Sequence, residues 1–212
     1  MAESQAVLNV YNQALSHVGN APVAVSTDST ICTLYYPTVR DTLLSWHAWT
    51  FATMRRQLAR LTEAPAATYL YQYAIPSNPY PLRILDTDTR GLPYTLEVWS
   101  DDATPETMSR VLLTDAQTVV LRYIARVQEA LWPPLVLDVA AYWLAVRIVQ
   151  RLTGKTALRT QLYGEMQGLL QRAIDLDGHQ EPAERAELNS TYLSVRGDAI
   201  EALPLEDFEE PF

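Results

Sequence analysis

YPTVRDTLLSWHAWTFATMRRQLARL, residues 36–61, changes from helical to strand periodicity, and this change decides the fold. From the residue before this stretch and through its first half, apolar residues recur three or four apart, as on one face of a helix: Tyr35, Val39, Leu43 and Trp46. Residues 51–58 instead alternate, as a half-buried strand does. Two tryptophans and Phe51 lie at the junction. Because aromatic side chains bury large areas, we expect Trp49 and Phe51 to be largely buried and to hold this corner in a core.

Outward from this stretch, the pattern predicts a helix pair on each side of a strand-rich middle. Helix one covers about residues 3–18 and ends at Gly19, which suits a left-handed cap. Helix two begins near residues 26–28, which offer N-capping side chains, and Pro37 lies inside it.

Helices three and four are predicted over about residues 135–152 and 156–176. The third is apolar nearly all round, which is typical of a helix at the centre of a bundle or at a subunit interface. The fourth has an apolar stripe of six residues: Leu158, Leu162, Met166, Leu169, Ala173 and Leu176.

Residues 51–125 predict short strands separated by frequent turns. The candidate strands cover residues 51–58, 69–75, 82–87, 94–100, 109–114 and 118–125. Strands this short favour a small antiparallel sheet or barrel. The predicted fold class is therefore α+β, an antiparallel bundle of about four helices with a small antiparallel β insertion between helices two and three.

The predicted domain organisation has three parts. Residues 1–50 and 126–177 form a helical body, residues 51–125 form the β-rich insertion, and residues 178–212 form an acidic, extended C-terminal tail. The tail has nine acidic and two basic residues, so it carries most of the chain's net charge of −9. This charge argues against high-affinity DNA binding, because phosphate contacts need clustered cations. Four apolar residues of the tail are candidates for partner binding: Leu203, Leu205, Phe208 and Phe212.

The composition, with 48% hydrophobic residues and seven glycines, is that of a globular protein. The single cysteine, Cys32, cannot form an intramolecular disulfide, which suits a protein made in a reducing cytoplasm. No basic segment followed by an apolar run opens the chain, so we expect no secretory signal. The most apolar stretch, residues 131–149, is interrupted by charges and prolines and therefore predicts a buried helix, not a membrane span.

No catalytic, cofactor-binding or metal-binding constellation is visible in the sequence. The three histidines, His17, His47 and His179, have no zinc-ligand spacing, and phosphate loops and nucleophile elbows are absent. We therefore expect that the protein is not an enzyme and that it binds no cofactor and no metal ion. One tyrosine cluster could stack on sugars or bases, although its alternation is more simply one face of a strand: Tyr69, Tyr71, Tyr73 and Tyr80.

The corner also carries a recognisable set of residues: Tyr36, Pro37, Arg40, Asp41, Leu44, Trp46, Trp49, Phe51, Ala52 and Arg55. With these residues the chain resembles the adaptor family of short-tailed bacteriophages, also called tail tubular protein A. Residues 71–77 and 82–85 resemble the family's aromatic strand and following turn, with Ile75 replacing a leucine and Asn78 in an aspartate position. Residues 123–126 and 134–154 fit as well. The resemblance covers about residues 1–177, and the tail has no counterpart.

The resemblance implies a structural virion protein. Members form a ring, of about twelve copies, whose head-to-tail contacts close on themselves. The ring docks on the portal protein, carries the tail nozzle, and leaves a channel through which genomic DNA passes during ejection without specific binding. The expected location is the connector of the virion, after synthesis in the host bacterial cytoplasm, with no membrane partner. By this resemblance, the apolar tail residues would bind the portal or a neighbouring subunit.

Two alternatives to a head-to-tail adaptor remain open from the sequence. The first is a tail-associated cell-wall hydrolase, which would need a pair of carboxylates that the sequence does not single out. The second is a monomeric acidic assembly chaperone, which would use its charged tail to attract a basic partner.

Overall fold

The structure, a computed structural model, describes residues 5–25, 29–63, 65, 68–89, 91–101 and 104–179. Met1–Gly178 form one compact unit, and all the helices and strands given below lie in it. The predicted tail beyond His179, with Leu203, Leu205, Phe208 and Phe212, lies outside the described residues. The predicted division into a helical body, a β-rich insertion and a tail stays a prediction.

The described residues contain four α-helices: α1 (Gln5–Val18), α2 (Thr30–Trp46), α3 (Pro134–Thr153) and α4 (Thr156–Gly178). The predicted end of α1 is confirmed, because Gly19 has a φ of 82° and its N–H donates to the carbonyl of Ser16 at 3.0 Å. The N-cap of α2 is Ser29, not residues 26–28, and its hydroxyl accepts a hydrogen bond from the N–H of Cys32.

The buried face of α2 includes Val39 and Leu43, as predicted, but not the two aromatic residues at the ends of the predicted stripe. Cys32, Tyr36, Val39, Leu43 and Leu44 are buried. Tyr35 is half-buried and Trp46 is exposed, although both belong to the predicted apolar stripe. The prediction was wrong at these positions because the hydrophobicity of an aromatic residue does not show whether it lies in the core or on a surface that binds a partner.

The third helix, α3, is the central helix of the unit. It packs against α1, α2 and α4, and its buried residues lie all around the helix rather than on a single stripe. The predicted stripe of α4 is wrong towards its C-terminal end. Leu170 and Asp177 are buried there, whereas the stripe had predicted Leu169 and Leu176. The reason lies in a polar contact of Asp177 with the residues after α2, described below.

Seven strands lie between α2 and α3 in the described residues: β1 (Thr53–Gln57), β2 (Ala59–Arg60), β3 (Tyr71–Ala74), β4 (Pro81–Asp88), β5 (Tyr94–Asp101), β6 (Thr104–Thr114) and β7 (Val120–Ala125). They form two antiparallel sheets, a three-stranded sheet with the order β1-β7-β4 and a four-stranded sheet with the order β2-β3-β6-β5. The strand β6 begins at Thr104, before the predicted strand of residues 109–114, and pairs with β5 as a long hairpin.

The prediction of a helical bundle with a small β insertion is wrong. The fold is α+β, with four helices and two antiparallel sheets of three and four strands. The prediction assumed that the short strands would all pair in one small sheet. Two sheets form because β2 and β1 separate at Leu58, whose buried side chain points between the sheets, and each then joins a different one.

The strand β7 explains how the two sheets fit onto the helices. Ile124 on one face of β7 packs into the helical core, whereas Leu121, Tyr123 and Ala125 on the other face pack into a second core. Residues of the four-stranded sheet, such as Tyr73 and Leu112, complete this second core. The three-stranded sheet is therefore covered on both faces, by helices on one and by the other sheet on the other.

Candidate functional site

The corner between α2 and β1 is built around Trp49, which is fully buried. Its indole Nε1 donates to the carbonyl of Leu43 at 2.9 Å. That carbonyl belongs to the last turn of α2, where four C=O groups have no partner within the helix. The Trp49 ring also packs against Phe51, with ring centroids 5.7 Å apart. The predicted burial is confirmed for Trp49, while Phe51 is half-buried.

The carboxylate of Asp177, near the end of α4, holds the same corner from the other side. It accepts hydrogen bonds from the backbone N–H of Thr50 at 3.0 Å and from the Thr50 hydroxyl at 2.6 Å. The Nε2 of His47 lies 3.5 Å from the same carboxylate. The sequence reasoning missed Asp177, because it lies 127 residues from Thr50 and no local motif connects them.

A polar network joins the signature residues of α2 to the segment after β7. The Tyr36 hydroxyl donates to Glu129 Oε1 at 3.1 Å, and Arg40 Nη1 lies 3.7 Å from the same oxygen. Asp41 accepts a hydrogen bond from Arg40 at 3.0 Å and two from Arg126, one of them also at 3.0 Å. Burial, followed by the adjacent Glu129 carboxylate, raises the pKa of Tyr36 far above its usual range, so its hydroxyl stays a donor.

Two signature residues, Pro37 and Arg55, belong neither to this network nor to the buried corner. Pro37 is exposed within α2, and Arg55 is exposed on β1, opposite Arg122 of β7. The structure thus brings Tyr36, Arg40 and Asp41 into one network, and Trp49 and Phe51 into the adjacent corner. The network binds α2 to the segment between β7 and α3. We therefore interpret it as a structural feature of the fold.

A groove of about 550 Å³ runs between α3, α4 and the end of α2. Trp46 lies in its wall with 58% of its surface exposed, and its ring contacts Trp143 edge to face at a centroid distance of 5.9 Å. The remainder of the wall combines apolar and basic side chains, among them Val146, Arg147, Arg159, Tyr163 and Met166. An exposed tryptophan in an apolar groove has the composition of an interaction surface.

The hairpin of β5 and β6 exposes a second apolar surface. Val98 and Met108 are 67% and 74% exposed, and Tyr94 and Leu96 are exposed on the same face of β5 as Val98. The strand β5 is an edge strand, since it pairs with β6 alone in the described sheet. Exposed apolar edge strands tend to pair with or pack against other chains.

The two histidines of the helical part, His17 and His47, both contact aromatic rings. His17 packs on the ring of Tyr142 at a centroid distance of 4.0 Å. Burial lowers the pKa of His17, against the opposing effect of the nearby carboxylates of Glu165 and Asp138. His47 lies between the Trp49 ring and Asp177. Neither histidine lines the groove between α3, α4 and the end of α2.

Within the described ranges, no group of three His, Cys, Asp or Glu side chains is arranged to hold a metal ion. Among the same residues, no helix combines the length and hydrophobicity that crossing a membrane requires. A comparison with known protein families finds no family that matches this chain, and a comparison with curated protein sequences finds no significant match. The resemblance to the adaptor family therefore depends on the residues quoted above.

Proposed function

We propose that this chain is a head-to-tail adaptor of a short-tailed bacteriophage, a structural virion protein whose ring connects the portal to the tail nozzle. One observation supports the proposal most. Residues that carry the resemblance lie together, with Tyr36, Arg40 and Asp41 in one polar network and Trp49 and Phe51 in the corner beside it. Proteins that share a fold also share the residues that stabilise its junctions. The contacts at this junction of helix and sheet are therefore what membership of a structural family would require.

The ring contact is proposed to include the groove between α3 and α4. The apolar surface of α3 is mostly covered by α1, α2 and α4, so it offers little area to a neighbouring subunit. Trp46 and Tyr163, by contrast, are exposed beside apolar neighbours. Lasting subunit contacts are large and apolar, and a head-to-tail contact forms a ring when its rotation closes.

The exposed hairpin of β5 and β6 is proposed to face the tail nozzle. Binding residues lie disproportionately on surface segments that a rigid scaffold positions. Here the scaffold is the pair of packed sheets, and Met108 is among the hairpin's most exposed apolar residues. The genome would pass through the ring without specific binding, because the chain's net charge of −9 repels a polyanion.

Co-sedimentation with the cognate portal and nozzle proteins tests these roles. The wild type should sediment with both proteins. Trp46→Asp should reduce ring formation on the portal at least about tenfold, because it places a charge in an apolar contact. Met108→Asp should retain the portal and lose the nozzle.

Leu34→Asp is the matched control, because Leu34 is exposed on α2 outside the groove. It should behave as the wild type in both assays. If the wild type binds neither protein, the proposed function is wrong. If Trp46→Asp and Leu34→Asp have equal effects, the groove is not the ring contact.

A further inference from the structure

The end of α3 and the start of α4 form a basic surface on an acidic chain. Residues 139–164 contain four cationic side chains and no acidic one, although the chain's net charge is −9. All four cations are exposed: Arg147, Arg151, Lys155 and Arg159. Exposed charges act over about 10 Å at ordinary ionic strength, so this surface attracts an anionic partner.

Two of these cations line the groove between α3, α4 and the end of α2. Arg147 and Arg159 are the charged residues of its described lining, and neither has a carboxylate of the described chain within ion-pair distance. The Arg159 guanidinium donates to Gln150 Oε1 at 3.1 Å, which holds it against α3. Trp46 and Tyr163 are 58% and 48% exposed in the same groove. The groove therefore combines aromatic surface with unneutralised positive charge.

One segment of this chain has the complementary composition. Residues 198–212, which we call the acidic segment, contain six acidic residues and no basic one. Four apolar side chains lie among these charges: Leu203, Leu205, Phe208 and Phe212. Acidic residues steer a segment towards a basic groove, and buried apolar side chains supply most of the affinity. The acidic segment therefore matches the groove in both charge and hydrophobicity.

We propose that the acidic segment of one copy binds in the groove of a second copy. The inference rests on the proposed ring contact, in which the groove is one half of a head-to-tail interface. Such an interface joins two different surfaces of the chain, and the acidic segment supplies the second. The groove has a volume of about 550 Å³, which is in the range of pockets that receive a few side chains. It is therefore filled by a short segment rather than by a folded domain.

The chain is long enough for this contact. The helix α4 ends at Gly178, and residues 179–202 connect it to Leu203. A connection of this length spans at most about 90 Å. A compact unit the size of Met1–Gly178 has a radius of gyration of only about 16 Å, so the acidic segment can reach the groove of a subunit packed beside it.

Fluorescence anisotropy with a labelled synthetic peptide of residues 198–212 tests the contact. The titrant is the full chain with Phe208→Ala and Phe212→Ala, because these changes remove two anchors with which its own acidic segment would compete. The peptide should bind saturably with a Kd of about 1–100 µM at about 50 mM salt. Binding should weaken at least about fivefold at about 500 mM salt, because salt screens the exposed charges. A scrambled peptide of the same composition should bind at least about tenfold more weakly.

Variants of the groove then locate the binding. Trp46→Ala and Arg159→Glu should each weaken peptide binding about tenfold or more, because one removes an aromatic contact and the other reverses a charge. The matched controls are Leu34→Ala and Arg172→Glu, which change exposed residues of α2 and α4 outside the groove. Both controls should leave peptide binding unchanged. Because Trp46 and Arg159 are exposed, neither change should impair folding, and circular dichroism checks this.

Sedimentation velocity at about ten times the Kd of the peptide shows which copy supplies the segment. The wild type should form oligomers larger than dimers. The chain with Trp46→Ala and Arg159→Glu should be monomeric, and so should the chain with Phe208→Ala and Phe212→Ala. An equal mixture of these two variants should form dimers and nothing larger, since each pair has one intact groove and one intact acidic segment. A wild type that stays monomeric while the mixture forms dimers would show that the segment binds within its own chain, and the proposal would be wrong.

Three further results would overturn the proposal. The first is the absence of saturable peptide binding at concentrations up to about 1 mM. The second is an equal loss of affinity in Arg159→Glu and Arg172→Glu. The third is tighter binding of the peptide to the cognate portal protein than to the groove.

The adaptor role and this contact can fail separately. If the wild type forms rings on the portal but the peptide does not bind, the inference about the acidic segment is wrong and the adaptor role stands. If the peptide binds in the groove and the wild type oligomerises without docking on the portal, the contact between copies stands and the adaptor role is wrong.

Discussion

Replacing Trp49 should destabilise the protein more than replacing Trp46, which lies three residues away in the same corner. Trp49 is fully buried, packs against Phe51, and donates its indole N–H to the Leu43 carbonyl. Truncation of a buried tryptophan to alanine costs about 3–5 kcal/mol. For a domain of this size, each kcal/mol shifts Tm by about 2–4 °C, so Trp49→Ala should lower Tm by roughly 6–20 °C.

A short series of variants separates packing from hydrogen bonding at this position. Trp49→Phe retains an aromatic ring but leaves the Leu43 carbonyl without the indole donor, which should cost about 1–3 kcal/mol. Trp46→Ala should cost no more than about 1.5 kcal/mol, since it loses chiefly the ring contact with Trp143. Thermal unfolding followed by circular dichroism measures all three. If Trp49→Ala and Trp46→Ala have the same Tm, the corner is not held as described.

Two further predictions concern charge. Asp177→Ala removes the acceptor of two Thr50 hydrogen bonds and should lower the free energy of unfolding by about 2–4 kcal/mol. The control Asp175→Ala changes an exposed residue of the same helix and should alter that free energy by less than about 0.5 kcal/mol. Equal losses for the two variants in denaturant unfolding would contradict the contact. Burial lowers the pKa of His17, so the folded state favours the neutral imidazole. The stability that neutral His17 contributes is therefore complete above the ordinary histidine pKa of about 6.5, and it is lost as pH falls through the lower pKa of the folded state. The wild type should therefore lose more stability than His17→Gln between about pH 7.5 and pH 5, and a parallel loss in both proteins would refute this.

The sequence predicts most elements because their signals are local. Gly19 ends α1 as predicted, and the alternation of apolar residues places the longer strands within two positions of their observed bounds, except for the start of β6. Burial of Trp49 follows from its position at the change of periodicity. Each of these features depends on residues within one or two turns of chain.

The arrangement of the strands in two sheets is not predictable from local alternation. Every residue from Leu121 to Ala125 except Arg122 is fully buried, because β7 lies between two cores and its two faces meet different partners. A period of two predicts a strand but does not say what covers each face. The separation of β1 from β2 at Leu58 has no signal of its own.

The candidate surfaces were predictable only in part. Tyr36, Arg40 and Asp41 were identified from the sequence, but their partner Glu129 was not, because it lies 93 residues from Tyr36. Trp46 was expected in the core, since hydrophobicity alone does not distinguish a core from a binding surface.

Negative-stain imaging of the protein mixed with its cognate portal tests the adaptor role most directly. The account predicts closed rings of about twelve copies seated on one end of the portal, since a head-to-tail contact of fixed rotation closes on itself. Portal particles without added density, together with a chain that stays monomeric at every concentration tested, would contradict it.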